Sequence, residues 1–507
     1  MAQDPRREGY ERVARYLAQG AIHREVLTSE GQFVMAFNDD LVPLIANRLT
    51  GASLAEIRDR IAPGLEIRLT ERGFAKGAER LVPDGGHDDT NYDAIWVRDS
   101  GWIYFGYRRI GATDEARRLL LALWDYYATA AQRERFDRVI ADPALALDGT
   151  MHVPHVRFDG NSPDLDDVLV DGEPEVWNHR QNDAHGILLA AVAHATADGL
   201  IAAEDFTADR VTVLQQLPVY FERIAYHAYP GAGAWEEVNK VNVSSIAMVV
   251  RGLEQWRAVL CADDALAARI GTDPRQLDPL IASGYATIHA GLRQGGESTT
   301  LHGPYAVEFR RADAALFNLF LPLPLAELAE GELRLAAAIL EKLSRPFGTI
   351  RYVNDSYQGA NYWIRSGREV DPEGVPTATG DSSDRAAFLS RFRRLRPNTE
   401  AQWFFDSKLA MIRLALMRRT DDARTAEIDR FLAEWHLKRA LGQVTGNSHA
   451  GVILGADGSP VGPLAVPESI NQVLIDGRPG FLPSPITPLN WAKASLAMAL
   501  ADVADVI

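Results

Sequence analysis

The sequence has a single cysteine, Cys261, among its 507 residues. One thiol cannot form an internal disulfide, which excludes the cross-linked frameworks of small secreted domains. Because Cys261 lies in the apolar run WRAVLCADDALAA, we expect a buried and unreactive thiol. Long apolar runs are absent as well, since no window approaches about 18 uninterrupted apolar residues. We therefore expect no membrane-spanning helix and no membrane partner.

Positive charge is scarce: 53 Lys and Arg residues stand against 69 Asp and Glu, and the formal net charge is −16. Nucleic-acid binding depends on clustered Lys and Arg, so this balance predicts no nucleic-acid partner and favours a neutral or cationic small molecule. The N-terminal stretch MAQDPRREGYERVARYLAQG lacks the apolar core of a secretory signal. From this we expect a cytoplasmic location.

Several motifs of metal and cofactor chemistry are missing. The twelve histidines form no HExxH or comparable ligand spacing, and no loop resembles an EF-hand. The sequence also has no Walker motif, no GxGxxG after a strand and no GxSxG elbow. The residues therefore predict no bound metal and no cofactor.

The chain is instead rich in helical periodicity. From about residue 97 onward, apolar residues recur at i, i+3 and i+4, and several segments are apolar almost all round, so they must be buried on several sides. Alternation of amphipathic and nearly all-apolar helices indicates concentric layers, as in an all-α toroid. A stack of helical repeats is the competing fold, but no fixed period of about 30 to 45 residues is visible. The predicted helices cover residues 100–110, 114–134, 184–199, 207–228, 243–260, 279–292, 315–326, 331–343, 400–419, 422–440 and 490–507.

The first 85 residues follow a different pattern. The Gly- and Asp-rich stretch VPDGGHDDTN (82–91) is the best boundary signal in the chain. We therefore expect a mixed N-terminal extension, residues 1–85, that packs on a barrel domain formed by residues 86–507. The elements predicted within the extension are helices at 10–19 and 53–61 and strands at 31–37 and 65–73.

Four loop-to-helix junctions are dense in Trp, Arg, Asp and Glu, and a fifth carries a glutamate before the last helix. Aromatic faces cover the C–H surface of a sugar ring, while Arg and Asp side chains hold its hydroxyls through charge-assisted hydrogen bonds. Long loops within a compact domain are usually functional, and two such loops lead into these junctions. This composition is typical of a sugar site. The junctions are IWVRDSGW (95–102), EVWNHRQNDAHG (175–186), GAWEEVNKVN (233–242), IRYVNDSYQGANYW (350–363) and AVPESINQ (465–472).

The order of these motifs resembles glycoside hydrolase family 15. WVRDS, W-x-x-x-QND, WEE-V-N, RY-x-x-D-x-Y-x-G and PES before a final Trp-bearing helix follow one another within about residues 86–507. That family includes glucoamylases, glucodextranases and bacterial trehalases, and it shares its fold with the phosphorylase kinase α and β subunits. The resemblance implies an (α/α)6 barrel, which agrees with the helix pattern described above.

The resemblance also implies two glutamates that cleave a terminal α-glucosyl residue with inversion. Glu236, the first glutamate of WEE, matches the general acid, and Glu468 in VPESINQ matches the general base, for which Glu400 is a rival. In inverting enzymes the two carboxyl groups stand ~6.5 to 9.5 Å apart. Trp235 beside Glu236 would supply the desolvation that raises the pKa of the acid, while we expect the base to stay ionised on its loop.

Nine positions match substrate-binding side chains of the family. Arg98 and Asp99 match the pair that holds the 4- and 6-hydroxyls of the terminal glucose, which would make cleavage exo-acting. Glu237 matches a position that contacts the leaving-group sugar. A buried structural ion pair is the competing role for Arg98 and Asp99. The predicted substrate-binding residues are Arg98, Asp99, Trp177, Asp183, Trp235, Glu237, Arg351, Asp355 and Trp403.

Four residues near these motifs are less sharply defined. Gln402, next to Trp403, faces the pocket in relatives, whereas Trp96, Trp363 and Trp491 fit core packing as well as a sugar site.

The leading hypothesis from the resemblance is an inverting, exo-acting hydrolase that releases β-glucose from a short soluble α-glucoside. Isomalto- and malto-oligosaccharides and trehalose are the candidate substrates. The competing hypothesis is a catalytically silent sugar-binding or regulatory protein like the kinase subunits, which retention of both glutamates disfavours.

Overall fold

Two of these expectations fall outside the part of the chain that the structure describes. One is the boundary stretch 82–91, so the division into two domains after residue 85 stays a prediction. The other is Trp363. The described positions of the helix predicted at 10–19 are helical. The computed structural model describes residues 11, 14–15, 17–18, 22–78, 92–170, 172–298, 309–358, 385–386, 388–389, 398–449, 461–475, 478–484 and 486–507.

Helices dominate the described chain. The strands are short, and most of them are two-residue pairings between loops. The α-helices are α1 (Val42–Ala46), α2 (Gly51–Leu65), α3 (Val97–Ile110), α4 (Thr113–Ala128), α5 (Ala130–Ala141), α6 (Leu145–Asp148), α7 (Asn182–Ala197), α8 (Ala208–Arg223), α9 (Val243–Ala262), α10 (Asp264–Ile270), α11 (Asp278–Gln294), α12 (Glu330–Glu341), α13 (Asp406–Met417), α14 (Ala423–Gly442) and α15 (Asn490–Ala504). The strands are β1 (Arg24–Leu27), β2 (Phe33–Ala36), β3 (Ile95–Trp96), β4 (Arg157–Phe158), β5 (Leu169–Val170), β6 (Glu173–Pro174), β7 (Ser344–Arg345), β8 (Gly348–Thr349), β9 (Gln402–Trp403), β10 (Ser469–Ile475) and β11 (Arg478–Pro483).

Six described elements form a closed inner ring. In order they are α3, α7, α9, the 3-10 helix Ala314–Leu319, α13 and α15, and each packs against the next, with α15 returning to α3. The apolar sequences of α7 and α15 are buried on nearly every face, as expected for inner helices. At the crossing of α7 and α9, a Cβ at Gly186 would lie 2.6 Å from the Met248 carbonyl carbon, so only glycine permits this close approach.

An outer layer surrounds this ring. α4, α8, α11, α12 and α14 pack behind the inner elements that precede them in the chain, and α2 packs behind α15. The fold is therefore an all-α toroid, as the helix pattern predicted, with the (α/α)6 arrangement that the family resemblance implied. The N-terminal helix α2 completes the outer layer, and its buried residues Leu54, Ile57 and Ile61 belong to the same hydrophobic core as the barrel residues.

A small antiparallel sheet joins distant loops on the barrel. Its strand order is β11-β10-β9-β8-β7. Trp403 of β9 is paired with Ser469 of β10 on one side and with Thr349 of β8 on the other. This register holds Glu468, which directly precedes β10, close to the segments that carry Trp403 and Arg351.

Three predicted elements differ in the structure, the first being the helix predicted at 114–134, which Thr129 divides into α4 and α5. No strand forms at 65–73, because side chains of the barrel take the backbone carbonyls there: Tyr107 donates to Ile67 O at 2.8 Å and Lys493 donates to Glu66 O at 2.8 Å. The helix predicted at 315–326 is reduced to the 3-10 turn Ala314–Leu319. Pro322 and Pro324, which lack N–H donors, prevent its continuation.

The prediction for the cysteine is wrong. Cys261 is exposed, because it occupies the last turn of α9 on the side away from the ring, whereas its neighbour Leu260 is buried. Among the helices described, none combines the length and apolarity that crossing a bilayer requires.

Candidate active site

A cavity lies where the inner helices begin. Arg98 and Asp99 are in the first turn of α3, Glu236 is in the loop before α9, Trp403 is just before α13, and Trp491 is in the first turn of α15. The cavity has a volume of about 80 Å³, and it lies within about 710 Å³ of space free of protein atoms that includes open solvent at its mouth. Its lining residues are Tyr92, Trp96, Arg98, Asp99, Trp177, Ala234, Trp235, Glu236, Arg351, Tyr357, Trp403, Glu468, Leu489 and Trp491.

Glu236 is held by Arg98. The guanidinium donates from Nη1 to Glu236 Oε1 at 2.9 Å, and from Nε to Asp183 Oδ2 at 2.5 Å. Glu236 has a left-handed backbone conformation, with φ 57°, which turns its side chain out of the 3-10 turn Gly233–Trp235. Burial raises the pKa of Glu236, and Arg98 opposes this effect only in part. A carboxyl group with a raised pKa is suited to donate a proton near neutral pH.

Asp99 lies beside this pair. Burial raises the pKa of Asp99 to about 7, with a further contribution from Glu236, while Arg98 and Lys408 act in the opposite direction. Lys408 is itself buried, with Nζ 3.1 Å from the centroid of the Trp102 ring. Asp99 therefore changes charge near neutral pH and can exchange hydrogen bonds with a ligand hydroxyl in either protonation state.

Glu468 is the second carboxyl group in the cavity, and it is 1% exposed. The Tyr92 hydroxyl donates to Oε1 and the Gln358 amide donates to Oε2. Burial nevertheless raises the pKa of Glu468 to about 8, although both donors act to lower it. The expectation that this group stays ionised on an open loop is therefore wrong, because the sheet encloses it.

Three predicted binding residues lie behind the cavity wall rather than in its lining. Glu237 accepts from Arg310 Nη1 at 2.9 Å and from Arg351 Nη2 at 3.3 Å. Although burial acts in the opposite direction, these cations hold the pKa of Glu237 at about 2. Asp355 binds Arg351 with both oxygens, at 2.6 and 2.7 Å, and Asp183 binds Arg98 as described above. Glu237 is thus outside the cavity lining, and each of the three acids is paired with an arginine.

Aromatic rings form two walls of the cavity. Trp96 and Trp177 meet edge to face, with centroids 5.5 Å apart, and the Arg157 guanidinium lies 4.0 Å from the Trp177 centroid. Trp235 and Trp403 form the other wall, with centroids 6.0 Å apart. Such walls offer apolar faces to the C–H surface of a sugar.

Trp96 and Trp491 belong to the cavity lining, whereas Gln402 and Glu400 do not. Trp96 and Trp491, for which core packing was the competing role, line the cavity. Gln402 does not, since its Oε1 accepts from Phe347 N at 2.8 Å. Glu400, the rival base, accepts from Asn354 N at 2.7 Å and is not part of the lining.

Sequence reasoning missed Tyr92 and Tyr357. Their hydroxyls are 2.8 Å apart, and Tyr92 contacts Glu468. Tyr357 belongs to a motif that was recognised, NDSYQG, whereas Tyr92 follows the Gly- and Asp-rich stretch and has no local signal. Only the fold brings Tyr92 to a glutamate 376 residues away along the chain.

One described cluster has residue types that can bind metal: His155, Asp167 and His179. Protein groups already engage both nitrogens of His155, since Nδ1 pairs with Asp167 Oδ1 at 2.5 Å and Nε2 with Met151 O at 2.9 Å. His179 Nδ1 accepts from Val156 N at 3.2 Å, and the two imidazole rings are stacked at 3.7 Å. We interpret the cluster as a hydrogen-bonded support for the loop that carries Trp177.

Comparison with known proteins gives a consistent result. Residues 83–277 match the family model described as glycosyl hydrolases family 15. A wild-type glycosidase has a similar structure, with a TM-score of 0.55 and 17% identity over 91% of this chain and 100% of that one. A glucoamylase from Saccharomycopsis fibuligera has a TM-score of 0.50 at 13% identity, covering 90% of this chain and 95% of the other. At these identities the structural likeness shows the fold alone.

A curated relative covers a shorter part of the chain. It is the uncharacterized lipoprotein YgeQ of Escherichia coli (strain K12), 40% identical over 169 residues, which are 32% of this chain. The match spans 64% of that relative's length. The fold is thus an (α/α)6 toroid, and the family match covers the segment that carries Arg98, Asp99 and Glu236. The part of the chain that is similar to glycosyl hydrolases family 15, residues 83–277, is less than half of its length.

Proposed function

We propose that this protein is an inverting, exo-acting α-glucoside hydrolase that releases β-glucose from the non-reducing end of a short α-glucoside. The observation that carries the proposal is that Glu236, in the loop before α9, and Glu468, directly before β10, line the same cavity. Arg98 and Asp99 line it as well, and would hold the hydroxyls of the terminal glucose.

The two carboxyl groups have complementary tasks in this mechanism. Glu236 protonates the glycosidic oxygen as the bond to the anomeric carbon breaks. Glu468, once ionised, takes a proton from a water molecule that attacks the opposite face of the sugar. Tyr92 and Gln358 donate to the Glu468 carboxylate and so favour the ionised form that the base requires.

The shape of the cavity supports a small substrate. The walls Trp96–Trp177 and Trp235–Trp403 line a cavity of about 80 Å³ together with Arg98 and Asp99, an arrangement that suits a single sugar ring. Isomalto- and malto-oligosaccharides and trehalose all present a terminal α-glucosyl unit, and they remain the candidate substrates. A cytoplasmic location is likewise a proposal, which cell fractionation tests directly.

Proton NMR during hydrolysis tests the proposal. Maltose, isomaltose and trehalose are each incubated with the protein, and the anomeric signals are followed before mutarotation. Early β-glucose from at least one of them supports the mechanism. Inversion of trehalose gives one β- and one α-glucose, and maltose or isomaltose releases its reducing glucose as an anomeric mixture, so what contradicts inversion is early α-glucose without the β-glucose of the attacked unit. Saturable binding without turnover of any α-glucoside would instead identify a silent sugar-binding protein.

A further inference from the structure

Lys408 is a buried lysine on the inner helix α13, and it lies behind the cavity lining rather than in it. Its Nζ is 3.1 Å from the centroid of the Trp102 ring, 4.5 Å from that of Phe317 and 5.0 Å from that of Trp491. The three rings also contact one another, with centroids 5.6 to 6.2 Å apart. Because aromatic faces attract an ammonium group, these rings form a cage around Nζ.

This ammonium has no hydrogen-bond acceptor in the described part of the chain. Lys408 is 1% exposed, and its Nζ is a buried donor without a partner. Lys438 is equally buried, but its Nζ donates to Glu30 Oε2 at 2.6 Å. A buried cation without a hydrogen-bonded partner destabilises a fold, and an apolar side chain of similar length would avoid that penalty. Folding alone therefore does not explain a lysine at position 408, which indicates a functional role.

Asp99 connects Lys408 to the cavity. Burial lowers the pKa of Lys408, and Asp99 opposes this effect without a direct hydrogen bond between the two groups. Trp102 lies three residues after Asp99 on α3, so the cage and this carboxyl group share one face of the helix. Trp491, the third ring of the cage, lines the cavity together with Asp99. A change at Lys408 thus reaches two cavity residues, one through charge and the other through ring contact.

Other charged groups also act on Asp99. Arg98 precedes it on α3, Glu236 acts from the loop before α9, and Glu468 acts from the segment before β10. The glutamates disfavour a negative charge on Asp99, whereas Arg98 and Lys408 favour it. Since Arg98 already donates to Glu236 at 2.9 Å, it offsets the repulsion only in part. Lys408 is therefore needed to keep Asp99 as a carboxylate, the form that accepts the stronger hydrogen bonds.

We propose that Lys408 is a positioning residue of the cavity, whose caged ammonium holds Asp99 as a negatively charged acceptor and keeps the Trp491 ring in place. This role rests on the proposed function, because it requires that Asp99 and Trp491 contact the terminal glucose. Lys408 itself touches no substrate. Asp99 accepts from the sugar hydroxyls, and Trp491 covers a C–H face of the ring.

Lys408→Met tests this role, with glucose as the ligand in isothermal titration calorimetry from about pH 5 to about pH 9. Near neutral pH the Kd should rise roughly fivefold, which is the difference between hydrogen bonds to a charged and to a neutral acceptor. At alkaline pH the rise should disappear, because Asp99 ionises there without help, so the inflection of Kd against pH should lie higher in the variant. Arg98, Glu236 and Glu468 are present in both proteins, so this displacement isolates the effect of Lys408.

Lys438→Met is the matched control, because it removes a buried lysine that has a carboxylate partner. It should lower the melting temperature and leave the Kd for glucose unchanged. Lys408→Met should instead keep the wild-type melting temperature or exceed it, while KM for the best α-linked disaccharide rises more than kcat falls. A Lys408→Met protein with a lower melting temperature and an unchanged Kd would identify a structural lysine and overturn the proposal.

A second variant keeps the test decisive if Lys408→Met does not fold. Phe317→Leu removes one ring from the cage, so it should displace the inflection of Kd in the same direction by a smaller amount. Phe221→Leu, at a buried ring of the outer helix α8, should not displace it. An unchanged inflection in Phe317→Leu contradicts the role of Lys408.

The same measurements separate this role from the proposed function. A wild-type protein that binds glucose but hydrolyses no α-glucoside refutes the proposed hydrolase, and the Kd comparison still decides the role of Lys408. Hydrolysis by the wild type with identical Kd profiles in the wild type and Lys408→Met refutes the role of Lys408 alone. A wild-type protein that neither binds glucose nor hydrolyses an α-glucoside refutes both.

Discussion

Arg98 bridges Glu236 and Asp183, donating to the first from Nη1 and to the second from Nε. Asp183 therefore fixes the plane of the guanidinium, and the guanidinium fixes Glu236. Because burial and the arginine act on Glu236 in opposite directions, its pKa is raised but not to the extent that burial alone would cause. This balance suits a group that must give up its proton during one step and regain it afterwards.

Glu236→Gln should retain binding and lose turnover. Glutamine keeps the acceptor for Arg98 but cannot protonate a leaving group, so kcat should fall by about 10² to 10⁴ while KM changes little. Steady-state kinetics on the best α-linked disaccharide provide the measurement. Glu66→Gln, on a side chain that is 59% exposed, serves as a control with unchanged kcat. Wild-type turnover in Glu236→Gln would exclude its role as the acid.

On its acidic side, the pH profile of kcat/KM should follow the ionisation of the Glu468 carboxyl group. Since its pKa is raised to about 8, kcat/KM should increase with pH through that region rather than near the ordinary value of 4.5. Tyr92→Phe removes a donor that stabilises the ionised form. A hydrogen bond to a charged group contributes about 1.5 to 3 kcal/mol, so the inflection should move up by about one to two pH units. An inflection that is identical in both proteins would show that another group is titrating.

Glu468→Gln should be inactive and, at alkaline pH, more stable than the wild type. Between about pH 5 and pH 8 the native protein keeps a proton on Glu468 that the unfolded chain releases, so wild-type stability falls as pH rises through this window. Glutamine removes that dependence. The difference in unfolding free energy between variant and wild type should grow by on the order of 3 kcal/mol from pH 5 to pH 8, measured by denaturant titration.

Glu400→Gln is the matched control for this prediction. Glu400 is also a buried glutamate, but its Oε1 accepts from Asn354 N, a contact that a glutamine oxygen can make equally well. Most of the activity should therefore remain. Loss of activity in Glu400→Gln together with retention in Glu468→Gln would reverse the assignment of the base.

Glu237→Gln should act on stability more than on chemistry. The ionised carboxylate neutralises Arg310 and Arg351 inside the wall, and breaking a buried charge pair from one side costs about 3 to 5 kcal/mol. Asp313 and Asp355 remain as partners of the two arginines, which places the expected loss at the lower end of that range. Thermal or denaturant unfolding of the variant, compared with Glu66→Gln, gives the value. A loss below about 1 kcal/mol would mean that the two aspartates compensate fully.

The toroid was predictable because its signal is local and repeated. Segments such as 184–199 are apolar on all faces, and only an inner ring can bury them. The predicted strand at 65–73 failed for the opposite reason, because its backbone groups are satisfied by Tyr107 and Lys493, which are distant in sequence. Alternation of apolar residues says nothing about which partner takes the carbonyls.

The motifs identified the arginines and glutamates of the site, but not whether each side chain lines the cavity or lies behind its wall. The adjacent residues Glu236 and Glu237 look equivalent in the sequence, yet one faces the cavity and the other is enclosed by Arg310, Arg351 and Tyr352. The left-handed backbone at Glu236 separates them, and a dihedral angle of this kind has no sequence signature when the residue is not glycine.

The pairing of β10 with β11 also separates the part of the chain where a change in length would displace Glu468 from the part where it would not. Ile470 faces Pro483 next to Glu468, whereas Ile475 faces Arg478 at the far end of the ribbon, five pairs further on. Length changes beyond Ile475 would therefore leave the carboxylate anchored, because Ser469 remains paired to Trp403. A reporter or a recognition peptide can therefore be inserted at the far end of this ribbon without displacing the Glu468 carboxylate.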